Sequence, residues 1–498
     1  MLEDRTQRRN ALGPLVVSSR NPRYFSVRDD GGDERAVYLS GSHLWNNFHD
    51  GMGPGEPCAD EPERMDFGAY LDFLEERGHN FIRMWRWEQF RSYTAAADYH
   101  LCMSPQPWAR TGPGEATDGK PRFDLEAFDE AFFERLHERV RAAGDRGMYV
   151  AVMLFEGWGI HLSTAPMHVE GHPFHRSNNV NGISIGSILD HQVLPLDPRV
   201  RELQEAYIRK VIDTVQAFPN VLWEVANESS GGGKVDLEFA TYLGMDEVPE
   251  WGDSTEWQYW VIDVVKRYEQ QRGYEPHPIG ITMQFPVADQ TKVNDPLWNS
   301  RAEWISPGFE EPGWFPGNPE IPAAGWFADP PPADGRKVVI ADTDHFAPGA
   351  GDALWVWKTF IRGHHPILMD FGLIGGVNPP DPKAGGPMSF ETFEPARFAM
   401  GDTVRYAERV GLIDMEPRPD LSSTRFTLAN PGVEYLVLQP DRGDFTVTLE
   451  PGPYSVEWFG VDGRETVGAG DVTVAAAGPV GFHPPLDTEP SVLYLRSA

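Results

Sequence analysis

Apolar runs of strand length alternate with amphipathic helical patterns about eight times between residues 36 and 412, which predicts a (β/α)8 barrel. The runs are almost continuously apolar, as is typical of parallel strands that are buried on both faces. No glycine-rich phosphate loop follows the first run, so an open nucleotide-binding sheet is disfavoured. After Pro417 apolar and polar residues alternate between turns, which predicts an antiparallel β-sandwich.

The barrel elements follow one another in a regular order. The predicted strands are 36–42, 81–87, 149–155, 221–227, 279–285, about 304–306, 337–342 and 366–370. The predicted helices have apolar residues at spacings of three and four, and several end at a glycine; they are 66–78, 123–147, 199–218, 255–273, 352–363 and 393–411. We therefore divide the chain into an N-terminal hairpin that caps the barrel (1–35), the barrel (36–416) and the sandwich (417–498).

The composition excludes several classes of protein. Hydrophobic residues make up 40% and charged residues 24%, as in a folded globular chain. The 43 basic and 75 acidic side chains give a net charge of −32, which repels nucleic acids and anionic membranes. We expect a neutral partner. Because no signal-peptide or membrane-spanning run is found, we expect a cytoplasmic protein, or a secreted one if a leader was removed.

Cysteines and histidines offer little basis for a metal site. The two cysteines, Cys58 and Cys102, exclude a disulfide scaffold and a cysteine-built zinc site but allow a single disulfide between them; we expect free thiols. Five histidines follow the third strand, but Gly171 and Pro173 prevent one helix from presenting a ligand pair; they are His161, His168, His172, His175 and His191. We predict no metal and no cofactor, and a metal-dependent hydrolase is kept as a further hypothesis.

Candidate site residues stand where the predicted strands end, because (β/α)8 barrels carry their active sites at the carboxyl ends of the strands. Four strands bring carboxylates to this end, and closely spaced like charges are costly unless they have a function. In chain order the candidates are His43, Trp45, Asn46, Arg83, Trp85, Trp87, Glu156, Asn227, Glu228, Gln284, Asp342, Asp344, His345 and Asp370.

The segment NVLWEVANESS (220–230) carries the most specific motif. It resembles the end of strand four in the large clan of retaining glycoside hydrolases with (β/α)8 barrels, which includes cellulases and β-galactosidases. The resemblance implies that Glu228 is the general acid/base and that Asn227 binds the sugar 2-hydroxyl. We expect the pKa of Glu228 to lie above that of Asp342, because Glu156 and Asp342 are its neighbours.

The second carboxylate departs from the clan's pattern, in which a glutamate ends strand seven. The segment RKVVIADTDHF has no glutamate; Asp342 stands at that place and Asp344 lies two residues further on. A retaining mechanism needs a carboxylate about 5–5.5 Å from the acid. We expect Asp342 to take this role, with Asp344 as the alternative, and an inverting mechanism remains open.

A second resemblance covers nearly the whole chain and is carried by the segments NPRYFSV, AVYLSGSHLWNN, NFIRMWRWE and ADTDHFAPGAGDALWVWKTFIRG and by the C-terminal β-domain. These resemble poorly characterised bacterial cellulase-like glycosidases, many of which have a C-terminal β-domain of the collagen-binding type. In this reading Arg83 orients the nucleophile through a bidentate pair, and Trp85 and Trp87 stack on sugars. The competing interpretations are a structural ion pair and core packing. His43 either binds a sugar hydroxyl or is a core residue, and Asp370 either binds hydroxyls or pairs with Arg83. A carbohydrate-binding protein built on a degenerate barrel is the main alternative to an enzyme.

Overall fold

The computed structural model describes residues 13–28, 31–54, 64–94, 99–162, 167–311, 325–345, 351–373, 390–486 and 489–498. Eight parallel strands close into a barrel in the order of the chain, so the predicted (β/α)8 barrel is confirmed. The strands are β1 (Gly41–His43), β2 (Phe81–Met84), β3 (Tyr149–Glu156), β4 (Val221–Asn227), β5 (Ile279–Thr282), β6 (Trp304–Ser306), β7 (Val338–Asp342) and β8 (His365–Met369).

Four of the six long helices are capped by an aspartate that accepts a hydrogen bond from a first-turn N–H; these are Asp66, Asp129, Asp197 and Asp352. The six long helices are Phe67–Glu76, Glu130–Gly144, Pro198–Val215, Thr255–Arg272, Ala353–Ile361 and Glu394–Arg409. The short ones are Trp158–His161, Met167–Glu170, Leu237–Tyr242 and Asp295–Asn299. Among the described helices, none is long and apolar enough to cross a membrane.

Most predicted barrel elements agree with the structure to within about three residues at each end, but two differ in their pairing or type. The run 36–42 is divided, because Glu34–Val37 pairs antiparallel with Phe25–Arg28 and only the end of the run joins the barrel. The predicted helix 123–147 begins as a strand, Pro121–Phe128, which pairs with Trp108–Glu115. Asp129 then caps the helix, because its side chain accepts a hydrogen bond from the N–H of Ala131.

A small three-stranded sheet outside the barrel contains one of the two cysteines. Strands Asp50–Pro54, Ser92–Thr94 and Tyr99–Ser104 form an antiparallel sheet. Cys102 is disulfide-bonded, so the prediction of free thiols is wrong, and Cys58 lies outside the described residues. Disulfides are typical of oxidising compartments, and the cytoplasmic localisation stays a prediction.

The N-terminal sheet packs against the amino ends of the barrel strands. It consists of Val16–Val17, Phe25–Arg28 and Glu34–Val37. Phe25 and Val37 belong to the same buried cluster as the first residues of three barrel strands, Phe81, Tyr149 and Val338. Because this end is filled by apolar side chains, the carboxyl end is left for a site.

The C-terminal residues form two antiparallel sheets, as predicted. The six-stranded sheet contains Glu416–Pro417, Thr427–Asn430, Glu434–Gln439, Ser491–Ser497, Gly452–Gly460 and Thr466–Val474. The two-stranded sheet contains Phe445–Leu449 and Gly478–Phe482. Phe445 and Val447 of the second sheet share a buried cluster with Tyr435 and Trp458 of the first, which is the packing of a sandwich.

The sandwich is fixed to the last barrel helices by aromatic and ionic contacts. The ring centroid of Phe459 lies 5.5 Å from that of Trp357 and 5.6 Å from that of Tyr406. The guanidinium of Arg409 donates to both carboxylate oxygens of Glu457, at 2.6 and 2.7 Å. These contacts indicate that the sandwich covers apolar barrel surface.

We expect Phe459→Ala to lower the free energy of unfolding of the whole chain by about 3–5 kcal/mol, the usual cost of truncating a buried aromatic residue. Thermal unfolding followed by circular dichroism measures the effect. Val433→Ala is the control, because Val433 is 47% exposed in the same sheet region. An unfolding midpoint for Phe459→Ala equal to that of the control would contradict a structural role for this interface.

Candidate active site

A charged layer lies above the apolar bottom of the barrel because strand side chains alternate in direction. Leu222 and Val338 belong to the bottom cluster. Glu224 lies two residues after Leu222, and Asp342 lies four residues after Val338. Because residues separated by an even number share one face of a strand, both carboxylates point to the same side as those apolar residues. Arg83 follows Phe81 in the same way. The predicted strand ends therefore converge at one end of the barrel.

Arg83 is the central cation of this layer. Its Nε and Nη2 donate to the two oxygens of Glu224, at 2.8 and 2.6 Å. Nη2 also donates to Oδ1 of Asn227 at 2.6 Å, and Nη1 donates to Asp342 at 3.2 Å. The predicted bidentate pair exists, but its carboxylate is Glu224 and not the strand-seven residue. Glu224 was missed, although it is part of the WEVANE segment and its alternation with Leu222 places it inside the barrel.

Asp342 is held by hydrogen bonds on both of its oxygens. Nε2 of His43 lies 3.0 Å from Oδ1 and 2.8 Å from Oδ2. The N–H of Asp344 donates to Oδ1 at 3.0 Å. Burial alone would raise the pKa of Asp342, but His43 and Arg83 outweigh it and hold that pKa well below its usual range. His43 in turn stacks on Trp85, with ring centroids 5.6 Å apart.

Asp344 lies in the single turn Thr343–His345 that follows β7. One carboxylate oxygen of Asp344, one of Glu228 and one ring nitrogen of His345 all lie within 4.8 Å of one another. Burial and the neighbouring Asp342 carboxylate raise the pKa of Asp344 to about 6. Oδ2 of Asp344 accepts no hydrogen bond from the residues that the structure describes.

Glu228 follows the last residue of β4 and has a left-handed backbone, with φ at +42°. Only 4% of its surface is exposed. Burial raises the pKa of Glu228 well above its usual value, and Asp344 raises it further; Arg83 opposes both, while Glu156 and Asp342 add smaller increases. The pKa of Glu228 therefore lies above that of Asp342, as the sequence predicts. Backbone strain of this kind is concentrated at functional sites.

His345 and Asn227 complete the layer. Nδ1 of His345 lies 2.7 Å from Oγ of Ser306, and Nε2 lies 3.4 Å from Oδ1 of Asn227. Burial, followed by the charge of Arg83, lowers the pKa of His345 to about 3, so its ring is neutral. The amide of Asn227 donates weakly to Glu156 at 3.5 Å. Asn227 is thus positioned by three side chains beside Glu228.

Two predicted residues are hydrogen-bonded to side chains other than those of the charged layer. Asp370 accepts two hydrogen bonds of 2.7 Å from Arg397, so the predicted alternative of a pair with Arg83 is wrong. Arg397 belongs to the last barrel helix, Glu394–Arg409. Gln284 donates to Oγ of Ser254 at 3.0 Å.

The aromatic candidates line the β1 and β2 side of the barrel end. Trp85 and Trp87 are each 2% exposed, and the guanidinium carbon of Arg83 lies 4.9 Å from the ring centroid of Trp85. The indole N–H of Trp87 donates to the carbonyl of Trp45 at 2.7 Å. Trp45 itself is only partly buried, and Asn46 is buried beside it. Of the three tryptophans, Trp45 offers the most surface to a ligand.

A second cluster, formed by Glu88, His172 and His191, has residues of the metal-ligand type but is held together by hydrogen bonds. Nε2 of His172 and Nε2 of His191 lie 3.3 and 2.9 Å from Glu88. Nδ1 of His172 accepts from the N–H of Phe174, and Nδ1 of His191 accepts from the amide of Gln204. Each Nε2 must therefore carry the proton that it donates to Glu88, which leaves no lone pair for a metal. Glu88 was not predicted, and the side chain of His168 lies outside the described residues.

Glu156 is a buried carboxyl whose raised pKa makes the stability of the fold depend on pH. Its carboxyl is fully buried and accepts a hydrogen bond from the N–H of Gly159 at 2.7 Å. Burial, opposed by that hydrogen bond and reinforced by Glu88, raises its pKa from 4.5 to about 8. The protonated form therefore stabilises the fold fully below pH 4.5, and this contribution is lost as the pH rises towards 8.

We expect Glu156→Gln to raise the free energy of unfolding by about 1–3 kcal/mol at pH 8.5 and to have little effect at pH 5, because the neutral amide carries no charge to bury. Denaturant unfolding at the two pH values measures the difference. Glu250→Gln is the control, since the Glu250 side chain is 82% exposed. The same change at both pH values would show that Glu156 is ionised in the folded protein.

Solved structures of other proteins share the fold of this chain. Residues 91–272 match the model of a family described as a domain of unknown function, DUF6298. No curated protein matches the chain. A solved structure described as a glycoside hydrolase is similar over 98% of this chain and 97% of that chain, with a TM-score of 0.55 and 13% identity. A glycoside hydrolase family 5 protein from Bacteroides vulgatus ATCC 8482 is similar over 98% and 93%, with a TM-score of 0.55 and 12% identity. At these identities the similarity shows a shared barrel fold.

Proposed function

We propose that the protein is a glycoside hydrolase in which Glu228 is the general acid/base and a carboxylate after β7 is its partner. The observation that carries the proposal is the buried pair of carboxylates, Glu228 and Asp344, with oxygens within 4.8 Å at the carboxyl end of the barrel. The similar solved structures described as glycoside hydrolases support the same class. A net charge of −32 suits an uncharged sugar substrate.

The environments of the carboxyl groups suit different roles. The raised pKa of Glu228 favours its protonated form, which can protonate the glycosidic oxygen as the bond to the sugar breaks. The lowered pKa of Asp342 keeps that residue ionised, so negative charge is available beside the developing oxocarbenium ion. Such opposite shifts are typical of acid and base pairs in enzymes.

A retaining mechanism is favoured over inversion. Retaining glycosidases have carboxyl groups about 5–5.5 Å apart, whereas inverting ones need about 6.5–9.5 Å to admit water. The oxygens of Glu228 and Asp344 lie closer than the inverting range. In this mechanism a carboxylate displaces the leaving group, and Glu228 then removes a proton from the water that hydrolyses the glycosyl-enzyme.

The alternative with a specific observation behind it is a metal-dependent barrel hydrolase. Glu228, Asp344 and His345 are also close enough to be ligands of one divalent cation. The charge of Arg83 opposes this use, because its Nη1 lies 3.6 Å from Asp344. A carbohydrate-binding protein without activity is the remaining alternative.

A panel of 4-nitrophenyl glycosides tests the proposal, with pyranosides and furanosides of both anomers. We expect the wild-type protein to release nitrophenol from at least one of them, in the presence of EDTA as well as in its absence, and Glu228→Gln to be inactive. Glu250→Gln is the exposed control and should retain full activity. Activity that requires an added divalent cation would support the metal-dependent enzyme. Binding without turnover would support the carbohydrate-binding protein.

A further inference from the structure

We infer that Asp344 supplies the oxygen that attacks the sugar, and that Asp342, the last residue of β7, is a positioning residue. The inference rests on the proposed function and assigns different tasks to the two carboxylates. It differs from the expectation based on position in the strand, which favours Asp342.

Asp342 is enclosed by donors. Its Oδ1 accepts hydrogen bonds from His43 and from the N–H of Asp344, and its Oδ2 contacts His43 and Arg83. Only 1% of its surface is exposed. An attack by either oxygen would break ionic hydrogen bonds inside the barrel, where they are strongest.

Asp344 has the opposite surroundings. Its Oδ2 accepts no hydrogen bond from the described residues, and its nearest cationic contact is Nη1 of Arg83 at 3.6 Å. It is 7% exposed, more than Asp342. One carboxylate oxygen of Asp344 also lies within 4.8 Å of one carboxylate oxygen of Glu228. The carboxylate that faces the proton donor is therefore Asp344.

The turn after β7 explains the arrangement. The strand ends at Asp342, and the turn Thr343–His345 carries the next carboxylate towards Glu228 on β4. The hydrogen bond from the N–H of Asp344 to Asp342 fixes this turn. Asp342 thus holds three groups at once: the turn, His43 and Arg83.

The two steps balance with Asp344 in this role. In the first step, Oδ2 of Asp344 forms a bond to the anomeric carbon while the bond to the leaving oxygen breaks, and Glu228 gives its proton to that oxygen. In the second step, water attacks the same carbon and gives a proton to Glu228. The bond to Oδ2 then breaks and its electron pair returns to Asp344. Asp342 remains an anion throughout.

Thermal unfolding of the full chain provides a readout that does not depend on turnover. We expect Asp342→Asn to lower the melting temperature, because His43 and Arg83 lose a buried partner. Asp344→Asn should leave it unchanged or raise it, because repulsion between Asp342 and Asp344 decreases. Asp263→Asn is a surface control, since the Asp263 side chain is 46% exposed. A decrease in melting temperature for Asp344→Asn as large as that for Asp342→Asn would overturn the assignment.

Rescue by a small anion tests the reacting atom. With the best aryl glycoside, we expect Asp344→Gly to lose at least about 1000-fold in kcat and sodium azide to restore at least about 10-fold, because azide attacks from the vacated position. Asp342→Gly should show no rescue, since its space is closed by His43 and Arg83. Rescue of Asp342→Gly together with an active Asp344→Asn would overturn the inference while leaving the proposed function intact. No turnover by the wild-type protein, even with a divalent cation added, would overturn both.

Discussion

Glu228→Ala is expected to lower kcat for aryl glycosides by at least about 100-fold, and by more for glycosides with poor leaving groups, because a general acid contributes most where the leaving oxygen needs a proton. The alanine removes a carboxyl that is 4% exposed and whose pKa is raised well above its usual value. The measurement is a series of substituted phenyl glycosides whose leaving-group pKa values span several units. The steepness of log kcat against leaving-group pKa should increase in the variant.

The fold of this variant serves as its control. Removal of the carboxyl removes the cost of burying a polar group, so the melting temperature should not fall. A normal melting temperature together with a large loss of kcat separates catalysis from stability. An equal loss of kcat across all leaving groups would contradict the role of Glu228 as the acid.

Arg83→Met is expected to give the largest loss of stability of any single substitution in the site. Arg83 is 3% exposed and donates to Glu224, Asn227 and Asp342. Removing one partner of a buried ion pair costs about 3–5 kcal/mol, because the remaining charge is left uncompensated. Activity should fall at least about 100-fold as well, since Asn227 and Asp342 lose a common anchor.

Arg83→Lys refines this prediction. Lysine keeps the charge but cannot donate to both oxygens of Glu224 as the planar guanidinium does. We therefore expect Arg83→Lys to have a free energy of unfolding between those of the wild type and Arg83→Met, with little activity. Denaturant unfolding and kcat are measured for both variants. Arg301→Lys is the control, because its side chain is 72% exposed and its pair with Asp263 should be worth at most about 1 kcal/mol. If Arg83→Met had the same free energy of unfolding as the wild-type protein, Arg83 would not organise the charged layer.

The sequence predicts the barrel because its signals are local. The run Val221–Asn227 is buried throughout and has the predicted bounds. The short strand Trp304–Ser306 is also found where it was predicted. By contrast, the strand Pro121–Phe128 was predicted as the start of a helix, because FDLEAF has apolar residues at helical spacing as well as in alternation. Its pairing with Trp108–Glu115 decides between the two.

The site is only partly predictable for a different reason. Alternation places Arg83 and Asp342 inside the barrel, but it does not identify the partner of each charge. Arg397, which pairs with Asp370, is 27 residues away in the chain. The partner of Arg83 is Glu224, which is 141 residues away. The position of Asp344 depends on a turn of three residues, and no periodic pattern of side chains specifies such a turn.

The configuration of the first-formed sugar tests the central claim most directly. Wild-type protein is mixed with its best aryl glycoside, and proton NMR follows the anomeric signals before mutarotation equilibrates them. The close approach of the Glu228 and Asp344 carboxylates predicts that the first product has the anomeric configuration of the substrate. A first product of opposite configuration would contradict the retaining two-carboxylate mechanism.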